Sequence, residues 1–536
     1  MKKLHKGYCF IVLMVMCFIL LLSLDFIESM NNPSQSSDLY FLFNRVMQLR
    51  DYVFDNKSIL GVFYYYDLNG VGYGSSFFYG YLTLLPLIFI KDFVLFGKLF
   101  YMLSFLTLYF GVRAFFKRFS KNFEFISCLF MVSPLIMLLF NVTTLYLNFF
   151  AVGLSFFFLA RCIDFFRDNK SFLPASLLFF LIINTHVITA FLSVIFCALL
   201  CIHYFDRTRI RGYSKFFMVT TLMCSYFTVS FLWHSEGVTN VGVAQNGLVS
   251  KYDTQLKDGM IDSFYGTSFF GGISNVVLVL SDKIHGALII TTPLLVCFGL
   301  FYFFRSSRSI KTNLNMLLVL ITAVLSVHPV WMWLYRRVNI LFQFPLRYLF
   351  YTYAVFLVLC FRNGISKRIK ALLLSTVLVN SLFFGFSSSL ATLNTNTAVV
   401  GQVGNGEYLS KEFVRNEKTF NKLASSCEFD FKKDGRYTYI NVTDDTKKWV
   451  LVPKLWYKGY VAETEDGKRL PCRMGYSQFV EFNTEGYIGQ VKVYYAHTWW
   501  LYTLEVMNYI LVFGCFLYII ARKWGRGKDS LKDVVY

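Results

Sequence analysis

The chain has 536 residues, of which 56% are hydrophobic and 16% are charged, and its mean hydropathy is +0.50. Soluble domains carry about a quarter charged residues, so this composition argues against a soluble protein and indicates a large lipid-facing surface. The formal net charge of +20 would suit a nucleic-acid-binding protein, but the basic residues cluster between apolar segments, so we expect the lipid bilayer as partner and no nucleic acid.

Twelve apolar segments are long enough, at roughly 20 residues, to be candidate transmembrane helices. They lie at about 8–28, 94–115, 123–142, 145–163, 172–187, 188–205, 216–233, 286–304, 314–334, 346–361, 371–392 and 499–521. The first resembles the apolar core of a signal peptide, but it is long and has no small-residue cleavage site, so we expect a retained anchor. The sequence therefore predicts a polytopic α-helical membrane protein.

Basic clusters occupy every second gap between these segments. The clusters begin at Arg113, Arg161, Arg207, Arg305, Arg362 and Arg522. The positive-inside rule places them in the cytoplasm together with both chain termini. We expect a multi-pass protein of the cell membrane whose long outer segments, 29–93, 234–285 and 393–498, face the extracytoplasmic side. The predicted division is a transmembrane domain (1–392), an extracytoplasmic β-rich domain (393–498), and a last helix with a cytoplasmic tail (499–536).

The first outer segment contains a predicted amphipathic helix at 37–54, with Leu39, Leu42, Val46 and Leu49 on one face. We expect this helix to lie in the outer membrane interface. Asp38 stands at its start, where an acidic residue is also favoured by the helix dipole alone. The glycine-rich turn that follows can bend tightly or approach a ligand closely, and its aromatic residues suit either a sugar face or an interfacial belt.

Three groups of residues, in order along the chain, resemble one known family. They are Asp38-Leu-x-Phe41-x-x-x-Arg45 with Asn69-Gly70-x-Gly72-Tyr73-Gly74, Phe78-Tyr79 and Pro86; Trp333 with Ile340-Leu-Phe-Gln343-Phe344-Pro345-Leu-Arg347; and Glu407-Tyr408-Leu409 with Trp456-Tyr457-Lys458-Gly459-Tyr460 and Asp466-Gly467-Lys468. The family is labelled "6-pyruvoyl-tetrahydropterin synthase-related", and it looks like a branch of the GT-C superfamily of polyprenol-dependent glycosyltransferases. The resemblance implies a GT-C-like fold of about 12 transmembrane helices.

The resemblance also implies a reaction: transfer of a sugar from a polyprenyl-phosphate-linked donor to a cell-surface glycan or glycopolymer outside the membrane. Asp38 would be the catalytic base, with Asp67 as second candidate, although Asp67 also suits a simple turn. Arg347 would bind the donor phosphate, with Arg336, Arg337 and Arg45 in reserve. Snorkelling to lipid headgroups is the alternative role of the arginines.

Seven further residues are predicted to contact substrate. They are Tyr73, Gly74, Tyr79, His186, His234, Glu236 and Gln343. His186 has an alternative role as a hydrogen-bonded helix end. Leu42 replaces a histidine of the family pattern, and no histidine pair has HxxxH spacing, so we predict no metal ligands and leave the need for a divalent metal open.

The segment 393–498 has the period-2 alternation of β-strands at 438–443, 447–463, 476–482 and 489–495, with turns at 465–467 and 484–486. It predicts a small β-sandwich-like domain that contacts the acceptor glycan or serves only as a scaffold. Cys427 and Cys472 would be able to pair in an oxidising exterior.

Three other functions stay open: a polysaccharide polymerase that uses a lipid-pyrophosphate donor, a lipid-linked glycan transporter, and a non-catalytic membrane scaffold. A transporter would carry charged residues and broken helices at mid-membrane, together with internal repeats. The apolar segments are mostly uninterrupted and their polar residues gather at the outer ends, which favours a transferase over a transporter.

The topology can be tested by labelling intact cells with a membrane-impermeant maleimide. We expect a Ser425→Cys variant to be labelled and a Ser530→Cys variant to be protected, each measured against the background of the parent protein. Labelling at position 530 but not at 425 would invert the predicted orientation.

Overall fold

The computed structural model describes residues 7, 11, 38–65, 72–133, 136, 146–235, 349–361, 366–375, 430–431, 436–443 and 448–532. Its helices are α1 (Asp38–Asn56), α2 (Ser75–Phe78), α3 (Phe93–Phe116), α4 (Phe123–Met131), α5 (Tyr146–Phe166), α6 (Leu173–Ile183), α7 (Val187–His203), α8 (Ile210–His234), α9 (Leu349–Phe361) and α10 (Trp499–Lys532). Short 3-10 helices lie at Leu82–Leu87 and Arg207–Arg209.

Four helical stretches in the described part of the chain are long and apolar enough to cross a membrane. They are Phe93–Phe116, Leu147–Phe166, Arg207–His234 and Trp499–Arg522. This confirms the coarse prediction of a helical membrane protein. The predicted spans at 286–304 and 314–334, nearly all of that at 8–28, and parts of those at 123–142 and 371–392 lie outside the described residues. The count of about 12 helices and the GT-C-like arrangement therefore stay predictions.

Two apolar segments form shorter helices than predicted. In place of full spans at 172–187 and 188–205, α6 has 11 residues and α7 has 17. At 1.5 Å per residue α6 is about 16 Å long, roughly half the thickness of a bilayer's hydrocarbon core. The polar turn at 184–186 ends α6 early, and the loop that follows α1 packs on this turn, as described below.

Three basic clusters that the structure describes, those beginning at Arg113, Arg161 and Arg207, meet at one end of the helical bundle, which we call the basic end. Arg118 forms an ion pair with Asp164 at 2.7 Å, and Arg113 forms one with Glu124 at 2.6 Å. Arg209 donates to the last carbonyls of α5. The alternation of charge predicted that all six clusters share one end, and the structure groups these three there. The placement of the other three, and the side of the membrane on which this end lies, stay predictions.

A region of β-sheet precedes the last helix. Its strands are β1 (Asp430–Phe431), β2 (Tyr437–Val442), β3 (Trp449–Leu455), β4 (Tyr460–Thr464), β5 (Arg469–Leu470), β6 (Cys472–Met474), β7 (Phe479–Asn483) and β8 (Gly489–Tyr495). They form a five-stranded sheet in the order β1-β2-β8-β4-β5 and a three-stranded sheet in the order β3-β7-β6, all antiparallel. We call these strands and their connections the sheet domain.

The sheet domain follows the predicted alternation closely. In β8, Val491, Val493 and Tyr495 are buried while the residues between them are not, because successive side chains of a strand point to opposite faces. Both predicted turns are present, with Gly467 and Gly486 in the left-handed conformation at φ +82° and +80°. Only residues 496–498 separate β8 from α10. Cys472 is a free thiol, and Cys427 lies outside the described residues.

Among the helices that the structure describes, α3 and α5 make the most extensive contact with each other, and they approach closely at two glycines. A Cβ on Gly111 would lie 2.2 Å from the carbonyl oxygen of Gly153, and a Cβ on Gly153 would lie 2.6 Å from the backbone of Leu108. Small residues at such a crossing let membrane helices pack backbone against backbone.

We therefore expect Gly111→Ala to destabilise the protein by about 1–3 kcal/mol, because the added methyl group overpacks a backbone contact. The matched control is Gly514→Ala in α10, where a Cβ would meet nothing within 4 Å. Thermal unfolding of the detergent-purified proteins, followed by tryptophan fluorescence, measures both. Equal melting temperatures for Gly111→Ala and the parent would contradict the packing described here.

Candidate functional site

The amphipathic helix predicted at 37–54 is present as α1, and its first residue is Asp38. Leu39, Leu42, Val46 and Leu49 are buried, as the predicted face requires. The face packs against the 3-10 helix at Leu82–Leu87 and against α3. Burial of these four apolar side chains therefore fixes α1 to the bundle, and with it the backbone position of Asp38.

Arg45, on the same helix, is buried with 1% of its surface exposed. Its Nη2 donates to the carbonyl oxygens of Tyr79 at 3.2 Å and Gly80 at 3.0 Å. The guanidinium also lies 5.0 Å from the centre of the Tyr79 ring. A buried guanidinium needs such acceptors, so these contacts give Arg45 a structural role in holding the loop. Its predicted contact with the donor phosphate stays a prediction.

The segment between α1 and α3, residues 57–92, is called the first loop here. Its glycine turn is closed by a bridge in which the N–H of Tyr73 donates to the carbonyl of Tyr64 at 3.0 Å. Gly72 has φ +87°, which a residue with a side chain adopts only with strain. At Gly74 a Cβ would lie 2.9 Å from the ring of Tyr457 in the sheet domain. The glycines therefore allow close packing against a second domain.

The first loop lies directly on the turn between α6 and α7. A Cβ on Gly80 would lie 2.3 Å from the carbonyl oxygen of Asn184, and the hydroxyl of Thr185 donates to that of Thr83 at 3.3 Å. His186 begins α7, where its Nδ1 accepts from the N–H of Thr189 at 3.2 Å. The structure thus shows His186 as a hydrogen-bonded helix end, and its contact with substrate stays a prediction.

His234 ends α8 and joins three parts of the molecule. Its ring stacks on Phe77 of the first loop, with centroids 3.7 Å apart. Its Nδ1 lies 2.8 Å from the carbonyl of Ser230, and a carbonyl only accepts, so Nδ1 carries the hydrogen. In the neutral ring Nε2 then accepts from the hydroxyl of Tyr495 at 3.0 Å. The imidazole is therefore fully engaged in connecting α8, the first loop and the sheet domain.

Aromatic rings extend this junction. Phe63 stacks on Tyr495 at 4.6 Å, and Tyr457 and Tyr460 meet it edge-on at 6.0 and 6.2 Å. Each such pair contributes about 0.5–1.5 kcal/mol beyond the burial of its area. Burial raises the pKa of Tyr460 and of Tyr495 well above the ordinary value, so both hydroxyls stay protonated and can donate.

Glu505, in α10, is a candidate that the sequence reasoning missed. Its side chain is fully buried, and its Oε2 accepts from the N–H of Gly61 at 2.8 Å. Its Oε1 accepts from the hydroxyl of Tyr81. The signal was present in the sequence, because Glu505 is the one charged residue between 499 and 521. An ionisable residue inside a membrane segment is a functional candidate by default.

The structure brings together the predicted site residues whose side chains or turns it describes. Tyr73, Gly74 and Tyr79 belong to the first loop. Arg45 of α1 donates to this loop, and the turn that contains His186 packs against it. His234 contacts the loop by stacking on Phe77. The other candidates, Asp67, Glu236, Arg336, Arg337, Gln343 and Arg347, lie outside the described residues. The predicted proximity of Asp38 to Arg347 therefore stays a prediction.

Comparison with models of protein families, with curated proteins and with solved structures gave no match. The family resemblance described above therefore stays a prediction.

The junction can be tested with Tyr495→Phe. Removal of the hydroxyl leaves the buried Nε2 of His234 without its donor, so we expect a loss of about 1–3 kcal/mol in stability. The matched control is Tyr494→Phe on the same strand, whose hydroxyl donates to the partly exposed side chain of Glu463, where water can replace it. Thermal unfolding measures the stability of both variants. An equal loss of stability in Tyr495→Phe and Tyr494→Phe would contradict the role assigned to His234.

Proposed function

We propose that this chain is a membrane glycosyltransferase that transfers a sugar from a polyprenyl-phosphate-linked donor to a cell-surface glycan or glycopolymer on the extracytoplasmic side. One observation carries the proposal. The first loop, with the motifs that resemble the GT-C-like family, is held between the helical bundle and the sheet domain, at the end of the bundle opposite the basic end. Loops on rigid scaffolds are where catalytic residues commonly lie.

The surroundings of the first loop suit a lipid-linked donor. The rings of Trp233, at the end of α8, and Trp500, at the start of α10, pack edge to face at 5.2 Å. Trp499 beside them is 79% exposed. Tryptophan concentrates at the boundary between hydrocarbon and water, which is the depth at which the phosphate of a polyprenyl carrier lies. The proposal therefore places the donor phosphate level with the first loop.

The chemistry is assigned to Asp38 and Arg347 on the family resemblance. Arg45, His186 and His234, which have protein partners, are given no chemical role. The acceptor hydroxyl attacks the anomeric carbon, the bond from that carbon to the phosphate oxygen breaks, and the lipid phosphate leaves. Asp38 accepts the hydroxyl proton, which is the task of a general base. An aspartate at its reference pKa of about 4 is ionised at neutral pH and can do this. Arg347 pairs with the departing phosphate, for which a guanidinium offers two parallel donors.

We expect Asp38→Asn to lower the transfer rate by about 10²–10⁴-fold, because the positioned base is lost while the size of the side chain is kept. The matched control is Asp51→Asn on the same helix, whose side chain is 46% exposed and pairs with Arg50, and it should retain full activity. Sugar incorporation by the purified variants from a polyprenyl-phosphate-linked donor pool measures both.

Arg347→Lys keeps the positive charge but loses the planar fork, so we expect it to raise the KM for the donor more than it lowers kcat. Full activity in both Asp38→Asn and Arg347→Lys, at matched protein levels, would favour a scaffold over a transferase. Full activity in Asp38→Asn alone would leave Asp38 as a helix-start residue, since asparagine also suits that position, and Asp67 would become the candidate base.

A further inference from the structure

We propose that Glu505 is a positioning residue of this site: its carboxylate fixes the first loop to the last membrane helix. The inference rests on the proposed transferase function only for its effect on activity. The attachment of the loop is a separate, structural claim, and it is tested by a separate measurement.

One carboxylate holds both ends of the functional part of the loop. Gly61 stands before the glycine turn and donates its backbone N–H to Oε2 at 2.8 Å. Tyr81 stands after that turn and donates its hydroxyl to Oε1. Residues 61–65 and 72–81 are thus tied to Glu505 on both sides of the turn, and they include the predicted substrate contacts at Tyr73, Gly74 and Tyr79.

The network continues along α10. The hydroxyl of Tyr509, one turn after Glu505, lies 3.1 Å from that of Tyr81. Since the Tyr81 hydroxyl donates to the carboxylate, it accepts from Tyr509, which gives a chain of hydrogen bonds ending at Glu505. Such chains polarise one another and strengthen each bond.

A basic group faces the carboxylate from the short connection between β8 and α10. His497 places its Nε2 3.8 Å from Oε2 of Glu505, and its side chain is 10% exposed. Its ring also packs on Gly61, where a Cβ would lie 3.0 Å from the imidazole and where φ is +67°. The loop, the sheet domain and the last helix therefore meet at Glu505.

The choice of a charged side chain at this point is what indicates positioning. A buried carboxylate is costly to desolvate and persists only where hydrogen bonds compensate it. An apolar side chain would pack α10 against the loop without that cost. The carboxylate accepts from two donors of the first loop at fixed places, besides the hydroxyl of Tyr226 in α8. It therefore sets the position of the loop along the helix as well as holding it.

The experiment uses the full-length protein in lipid nanodiscs and two readouts. The first is the rate of tryptic cleavage after Lys57, an exposed residue four positions before Gly61, because cleavage reports how often the loop opens. The second is kcat and KM for sugar transfer. The variants are Glu505→Ala, which removes both acceptors, and Tyr81→Phe, which removes one donor with little change in volume.

Glu124→Gln is the matched control, because Glu124 is also a largely buried carboxylate, but its partner is Arg113 at the basic end. We expect Glu505→Ala to raise cleavage after Lys57 by about tenfold or more, from the loss of hydrogen bonds to a charged acceptor. Tyr81→Phe should raise it severalfold and lower kcat in proportion, with KM for the donor changed less. Glu124→Gln should leave both readouts at the parent's values.

Unchanged cleavage in both Glu505→Ala and Tyr81→Phe would overturn the proposal, whatever the activity. A fall in kcat without faster cleavage would also overturn it, since Glu505 would then act on the reaction directly. Faster cleavage in these variants of a protein that transfers no sugar would support the attachment of the loop and contradict the transferase function. If Glu505→Ala does not fold, the rate of cleavage after Lys57 in Tyr81→Phe alone tests the proposal.

Discussion

The insertion of Phe63 and Phe77 between the helical bundle and the sheet domain is the interaction on which the rest of this structure depends. Phe77 stacks on His234 at the end of α8, while Phe63 stacks on Tyr495 at the end of β8. The hydrogen bond between His234 and Tyr495 closes the remaining gap. These two rings therefore connect the bundle to the sheets through the first loop.

Polar contacts then determine the exact position of the first loop, which apolar packing alone leaves open. Rings stack favourably over a range of offsets, whereas a hydrogen bond weakens steeply with distance and angle. Arg45 fixes the loop at Tyr79 and Gly80, and Glu505 fixes it at Gly61 and Tyr81. Both charged groups are buried. The loss of a hydrogen-bond partner would leave a buried charge unsatisfied, which lowers the stability of the folded protein.

Local patterns predicted the elements of this structure well, and distant contacts poorly. The face of α1 and the strands from β2 to β8 follow from periodicities that lie within a few residues of one another. The partners Gly61 and Glu505 are 444 residues apart, and His234 and Tyr495 are 261 apart, so no local pattern connects them. The early end of α6 was missed because apolar composition predicts that a helix forms, whereas polar residues such as Asn184 and His186 decide where it stops.

The short connection between β8 and α10 has a mechanical consequence. Three residues separate Tyr495 from Trp499, and a fully extended chain of that length reaches only about 14 Å. The sheet domain also packs on the first loop. It therefore cannot rotate away from the helical bundle without breaking its contacts with that loop. A ligand of the first loop therefore has to reach it without displacement of the sheet domain.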